Sequence, residues 1–285
     1  MSQEPYRLFL PAQRSTSVLF ASPHSGRDYP DSFVARSVLD TRVLRSSEDA
    51  FVDELFASAP AHGAALLAAR YPRAYVDLNR DCDELDPALI RSLRRAAPNP
   101  RITSGLGVIP RVVAGGRAIY AGRLSRDEAE DRLSQVWRPY HAALRALVDE
   151  TRALFGEAVL IDCHSMPHEA IAGYAAPGRP CPEVVLGDRF GASAGAEITE
   201  RVEAAFAGAG LRVARNTPFA GAFVAQHYGR PSEGCHVIQV EIDRALYMDE
   251  RRIARGSGFD GFRAVLEGIV AELAALGRGV PLAAE

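Results

Sequence analysis

Val18-Leu19-Phe20-Ala21-Ser22-Pro23-His24-Ser25-Gly26 is the stretch from which the fold can be read. A short apolar run stops at Ser22-Pro23 and delivers a histidine into a turn of small residues, the pattern of a buried strand with an imidazole at its C-terminal end. Ser25 and Gly26, both small, are expected to leave room for a ligand beside the imidazole. The pattern returns far downstream, where Val159-Leu160-Ile161 runs into Asp162-Cys163-His164-Ser165. Open α/β sheets collect ligands outside the carboxyl ends of their strands, so two such strands predict a shared site.

Working outward, strands and helices alternate. Ala74-Tyr75-Val76 reads as a second short strand that ends in Asp77-Leu78-Asn79-Arg80, and Glu183–Leu186, Leu211–Arg215 and His236–Ile242 as further strands. A hairpin is predicted from Gly105 through a turn at Gly115-Gly116 to Tyr120. Ser125, with Glu128 three residues on, caps a helix predicted to reach Leu154 on the stripe Leu133, Val136, Trp137, Tyr140, Leu144, Leu147, Val148. His141 on this helix reads as a packing histidine. Ser46 to Asp49 reads as the N-cap of a helix carrying Phe51, Val52, Leu55 and Phe56. Residues up to about Arg14 read as an entry arm, Asp81 to Ile102 as a long loop, and Asn216 to Gly234 as a loop that shapes a pocket. The closing helix, Phe259 to Leu276, turns Phe262, Val265, Leu266, Ile269, Val270 and Leu273 inward, and the last residues look frayed. The class is α/β with a mixed, mostly parallel sheet. No linker, repeat or low-complexity run forces a boundary, so one domain over 1–285 is expected.

Bulk properties exclude several functions. A net charge of −3 leaves no footprint for nucleic acid. All 33 basic residues are arginine, which removes lysine chemistry such as a Schiff base. The four cysteines, Cys82, Cys163, Cys181 and Cys235, form no CxxC pair, so reduced thiols in a cytoplasm are expected rather than a disulfide framework. The N-terminus does not read as a signal peptide, and no apolar run approaches the ~20 residues of a membrane span.

The strand ends hold the chemistry. Two histidines and a carboxylate are the ligand set of a catalytic zinc. A separate glutamate then serves as base toward water and acid toward the leaving nitrogen. Glu241 lies in the apolar run HVIQVEI, where a buried carboxylate requires a partner, a metal or a catalytic role; a salt bridge to Arg244 is the structural alternative. Asn79-Arg80 suits a bidentate grip on a carboxylate, or else is a turn asparagine beside a surface arginine.

SPHSG at 22–26, EDAFVDELF at 48–56, YVDLNR at 75–80, RPYHAAL at 138–144, DCHSMP at 162–167 and VEIDRALYMDE at 240–250, in this order, resemble the N-formylglutamate amidohydrolase family. The DLNR signature with flanking histidines is also similar to aspartoacylases, succinylglutamate desuccinylases and, more remotely, zinc carboxypeptidases. The resemblance implies a phosphorylase/hydrolase-like three-layer α/β/α sandwich forming a single zinc-hydrolase domain. It implies one Zn2+ held by His24, His164 and Asp49, the last preferred over Glu48, with Glu241 as general acid/base. Asn79 and Arg80 would hold a substrate carboxylate, with Arg73 and Arg244 as helpers. The implied substrate is a small N-acyl amino acid, foremost an N-formyl acidic one such as N-formyl-L-glutamate. Arg27 stands where carboxypeptidases carry a glutamate ligand. Ala50 and Phe51 depart from the tryptophan-and-histidine pattern of the histidine-degradation members, which points to a branch with a different acyl-amino acid. The rival readings are a zinc carboxypeptidase or muramoyl-peptide amidase, and a non-catalytic binding protein on the same fold.

Overall fold

The strand Ala158–Met166 is buried along its whole length, because its Val, Leu and Ile side chains are covered on both faces. It lies at the centre of a seven-stranded sheet in the computed structural model, which describes residues 4–93, 99–175 and 180–278. In chain order the strands are β1 (Tyr6–Phe9), β2 (Val18–Ser22), β3 (Leu66–Ala69), the hairpin β4 (Val112–Val113) and β5 (Arg117–Ala118), β6 (Ala158–Met166), β7 (Val184–Gly187), β8 (Val213–Arg215), β9 (Cys235–Asp243) and a second small pair, β10 (Met248–Asp249) and β11 (Ala254–Arg255). The sheet order is β1-β3-β2-β6-β9-β7-β8. β2 and β9 both run parallel to β6, with Ala21 beside Asp162 and His164 beside Glu241. β7 and β8 pair in parallel, and β7 runs antiparallel to β9. The protein is therefore α/β with a mixed, mostly parallel sheet.

The chain divides into two compact units that alternate along the sequence. The first comprises Met1–Arg7, Pro23–Ala50 and Ala68–Ala143; the second comprises Leu8–Ser22, Phe51–Leu67 and Leu144–Glu285. The second unit holds β2, β6, β9, β7 and β8. Its closing helix spans Phe259–Leu276, as the apolar stripe predicts, and packs on β2 and on the helix Ala196–Gly208. Thr16 Oγ1 donates to Ala274 O at 2.7 Å and the Ser17 N–H to Gly277 O at 2.9 Å, which satisfies carbonyls at that helix end. Val265 is 39% exposed, so one position of the predicted inward stripe faces solvent. Among the described residues no helix is long and apolar enough to cross a membrane. All four cysteines are free thiols.

Other expectations are corrected. The entry arm contains β1, a strand completed only by pairing with the distant β3. Ala74–Val76 is not a strand: the Tyr75 and Val76 N–H groups donate back to Pro72 O at 2.9 and 3.3 Å and close turns. Ser46 caps no helix. The helix Val52–Leu55 begins at Phe51, held at φ 67°, with its ring against Phe259 and its face under Arg255. The hairpin strands begin at Val112, later than predicted. β6 runs on through His164 to Met166, so this histidine is in the strand rather than beyond it. The Asn216–Gly234 segment includes the helix Phe223–Tyr228. The residues expected to be frayed, 279–285, lie outside the described residues.

The helix after Ser125 forms as predicted, with the Ser125 hydroxyl accepting the Glu128 N–H at 3.0 Å. It is α-helical over Arg126–Arg132, passes through a π-turn at Leu133–Trp137, and continues as α-helix over Arg138–Phe155.

Candidate active site

In the first unit the chemistry centres on His24. Gly26, two residues on, packs against the chain at Tyr71: a Cβ there would stand 2.1 Å from Tyr71 O. Its missing side chain makes room for backbone rather than for a ligand, contrary to expectation. The Asp49 N–H donates to His24 O at 3.0 Å and ties the two segments together. His24 Nε2 donates to Asp77 Oδ1 at 2.7 Å, while Nδ1 faces Asp49 Oδ2 at 3.4 Å. All three side chains are buried.

Asp77 is the acceptor that fixes this imidazole. Burial pushes its carboxyl up, but the charges of Arg73, His24 and Arg80 outweigh burial and hold it well below the usual carboxylate range. Arg73 Nη2 donates to Oδ2 at 2.8 Å, and the Asn79 N–H donates to Oδ1 at 2.9 Å. With Asp77 taking Nε2, Nδ1 is the ring nitrogen that faces Asp49.

Glu48 is engaged differently from its neighbour. Its carboxylate accepts from Tyr29 Oη at 2.6 Å and from Arg45 Nε and Nη2 at 3.1 Å. Burial raises its pKa against the pull of these donors. Of the acidic pair, Asp49 is thus the one that faces the histidine. Arg80 spends Nε on Leu106 O and Nη1 on Asn79 O, at 3.0 and 2.9 Å, leaving the Nη2 end of its fork uncommitted among the described residues.

In the second unit, the β6 and β9 register puts Asp162 beside Gln239, His164 beside Glu241 and Met166 beside Asp243. Side chains two apart share a face of a strand. His164 and Glu241 are therefore lateral neighbours, one strand spacing (about 4.8 Å) apart in backbone. His164 Nε2 pairs with Asp162 Oδ2 at 3.0 Å. Gln239 Nε2 donates to Glu241 Oε1 at 2.8 Å, and the Ala222 N–H donates to Gln239 Oε1 at 2.9 Å, which fixes the orientation of the amide. Arg244 Nε donates to Ser165 Oγ at 3.2 Å.

The structure thus places His24 and Asp49 together, groups Arg73 and Asn79 around Asp77, and sets His164 beside Glu241. Sequence reasoning assigned no role to Asp77, Asp162 or Gln239. Asp162 and Gln239 carry a readable signal, each lying two residues before His164 or Glu241 on the same strand face; Asp77 acts on a histidine 53 positions away.

A family model for N-formylglutamate amidohydrolase matches residues 16–248, a span that contains every one of these side chains. The chain belongs to the N-formylglutamate amidohydrolase family. As a member of the N-formylglutamate amidohydrolase family it is a hydrolase that acts on an amide. It is 32% identical to an N-formylglutamate deformylase of Pseudomonas aeruginosa over 92% of this chain and 94% of the relative. It is 31% identical to one of Pseudomonas putida over 82% of each chain. Its fold is similar to the crystal structure of an N-formylglutamate amidohydrolase from Ralstonia eutropha, with a TM-score of 0.90 and 35% identity over 97% of this chain and 99% of that one.

Proposed function

We propose that the protein hydrolyses N-formyl-L-glutamate to formate and L-glutamate with one zinc ion, held by His24, Asp49 and His164. The substrate follows the names of the relatives that the chain resembles. The observation that carries the metal reading is His24 itself: Asp77 takes one ring nitrogen and the other is turned to a second buried carboxylate. Metal-bound histidines commonly donate their remaining N–H to a carboxylate in this way. His164, paired with Asp162, repeats the arrangement. Two imidazoles and a carboxylate, all buried, are a donor set that zinc accepts.

When bound, the ion supplies Lewis-acid polarisation of the formyl carbonyl and of water. The chain's own residues do the rest. Glu241 takes a proton from the attacking water and returns it to the departing amine nitrogen as the C–N bond breaks. Gln239 holds the glutamate's Oε1, keeping the carboxylate in one orientation. Asn79 and Arg80, with Arg73 and Arg244 as helpers, hold the substrate carboxylates; a guanidinium matches a carboxylate with two parallel N–H donors. The free thiols fit a cytoplasmic setting.

The test is a screen of N-formyl, N-acetyl and N-succinyl amino acids with zinc present, measuring amine release. The expected result is highest turnover on N-formyl-L-glutamate, loss after chelation and recovery on adding zinc. Full activity in protein containing less than about a tenth of an equivalent of metal would overturn the metal assignment, and a preference for neutral substrates would overturn the carboxylate grip.

A further inference from the structure

The turn that carries Asp77, Asn79 and Arg80 is held from one side by a single helix face. Arg132 Nη1 donates to Tyr75 O at 3.4 Å, His141 Nε2 to Leu78 O at 3.0 Å, and Trp137 Nε1 to Arg80 O at 2.9 Å. Three side chains thus take three backbone carbonyls of one short turn, all within the first unit. A carbonyl only accepts, so His141 must carry its proton on Nε2. The His141 ring lies on Trp137 with centroids 4.1 Å apart, and the Arg132 guanidinium lies over the Tyr75 ring at 4.4 Å. His141 is buried as a packing histidine should be, but its polar edge is spent on this turn.

The spacing explains the π-turn. Trp137 lies five positions after Arg132, and in an unbroken α-helix the two would point about 140° apart. The π-turn over Leu133–Trp137, closed by the Arg138 N–H on Leu133 O, takes up one extra residue and brings positions five apart onto a common face. Trp137 and His141, four apart, then follow in ordinary α-helical phase.

We propose that Trp137 and His141, phased by this π-turn, are positioning residues that set the Asp77–Arg80 turn and so govern its grip on a substrate carboxylate. The proposal rests on the proposed use of Asn79 and Arg80 as that grip. Held at the Leu78 and Arg80 carbonyls, the turn presents the Arg80 fork ready-made, so the ordering cost is not charged against substrate binding. Loosening it weakens binding more than turnover, because Asp77 keeps its own anchors in Arg73 and His24.

Trp137 is the chain's one tryptophan, so its indole N–H gives a single nuclear magnetic resonance signal that reports on the clamp directly. In His141→Leu, KM for N-formyl-L-glutamate is expected to rise at least fivefold, with a smaller change in kcat, and the indole N–H to exchange at least tenfold faster. His141→Gln, which keeps an N–H donor, should recover most of both. Trp137→Phe, which keeps a ring and loses the donor, should reproduce the KM rise should the leucine variant fail to fold. Unchanged indole exchange in His141→Leu overturns the proposal, as does an equal loss in His141→Gln and His141→Leu. Release of no formate by the unsubstituted protein would defeat the proposed function instead, while indole exchange still decides whether His141 holds the turn.

Discussion

Glu241 and His164 are neighbours across a parallel strand pair, and only one of them has a proton-transfer role in the proposed reaction. Glu241→Gln keeps the shape and the Gln239 contact but removes the base, so metal content should stay the same while kcat falls about 10²–10⁴-fold. Elemental analysis and a formate assay on the same sample check both halves; undiminished turnover removes Glu241 from the chemistry. A second residue-scale prediction concerns His236. Its Nδ1 accepts the Gly195 N–H at 3.1 Å, at the start of the helix Ala196–Gly208. Burial lowers its pKa below 6.5, against a raising pull from Glu157. Folding therefore favours the neutral ring. The stability this gives is complete above the unfolded pKa of 6.5 and is lost as pH falls through the lower folded value. Protonation also removes the acceptor and sets a positive charge at a helix N-terminus. Denaturant titrations of wild type and His236→Gln at pH 5 and 7 should show the stability difference shrinking on the acid side; a constant difference counts against the linkage.

At the scale of elements, each histidine depends on one segment passing close to another. Gly26→Ala puts a Cβ into the Tyr71 carbonyl, and backbone cannot move aside as a flexible side chain can. A cost of about 3 kcal/mol or more is expected from chemical denaturation, with impaired metal binding, since the shift moves His24. A stability loss below about 0.5 kcal/mol would show that the 70–72 segment gives way freely. Helix and strand legibility differs along these elements. The Ser125 cap and the Phe259–Leu276 helix were readable because capping and 3.6-residue periodicity are local. The YVDLNR segment looked like a strand by composition, yet Pro72 closes it into turns and its carbonyls are taken by side chains 57 to 63 positions away. The π-turn was invisible for a related reason: it answers to where those carbonyls lie, not to any pattern within the helix.

For the whole molecule, the proposed zinc site would link stability to metal binding. An ion that binds the folded chain and not the unfolded one stabilises it by mass action, by about 2.7 kcal/mol at a hundredfold excess over Kd. Chelation should lower Tm and zinc restore it, with Asp49→Ala abolishing the response in differential scanning fluorimetry; the same zinc-dependent shift in Asp49→Ala would take this carboxylate out of the ligand set. Core truncation tests something separate. Leu160 on β6 is 1% exposed, so Leu160→Ala should cost about 2–5 kcal/mol while KM at permissive temperature stays near wild type.

Sequence alone determined the α/β class, the two apolar strands and their histidines, Glu241 on its strand, and the family. These follow from apolar runs, periodicity and ordered motifs, all properties of neighbouring residues. Tertiary structure decided which acid of the Glu48-Asp49 pair faces His24, that Asp77 holds that imidazole, that Gln239 orients Glu241, and that Gly26 yields to Tyr71. Most of these are contacts between segments distant in the chain, and even the Gln239–Glu241 pair, two residues apart on one strand, is fixed by the Ala222 N–H from outside it; they are set by where backbone and polar groups meet once apolar burial has brought them together. Local sequence carries no record of such meetings.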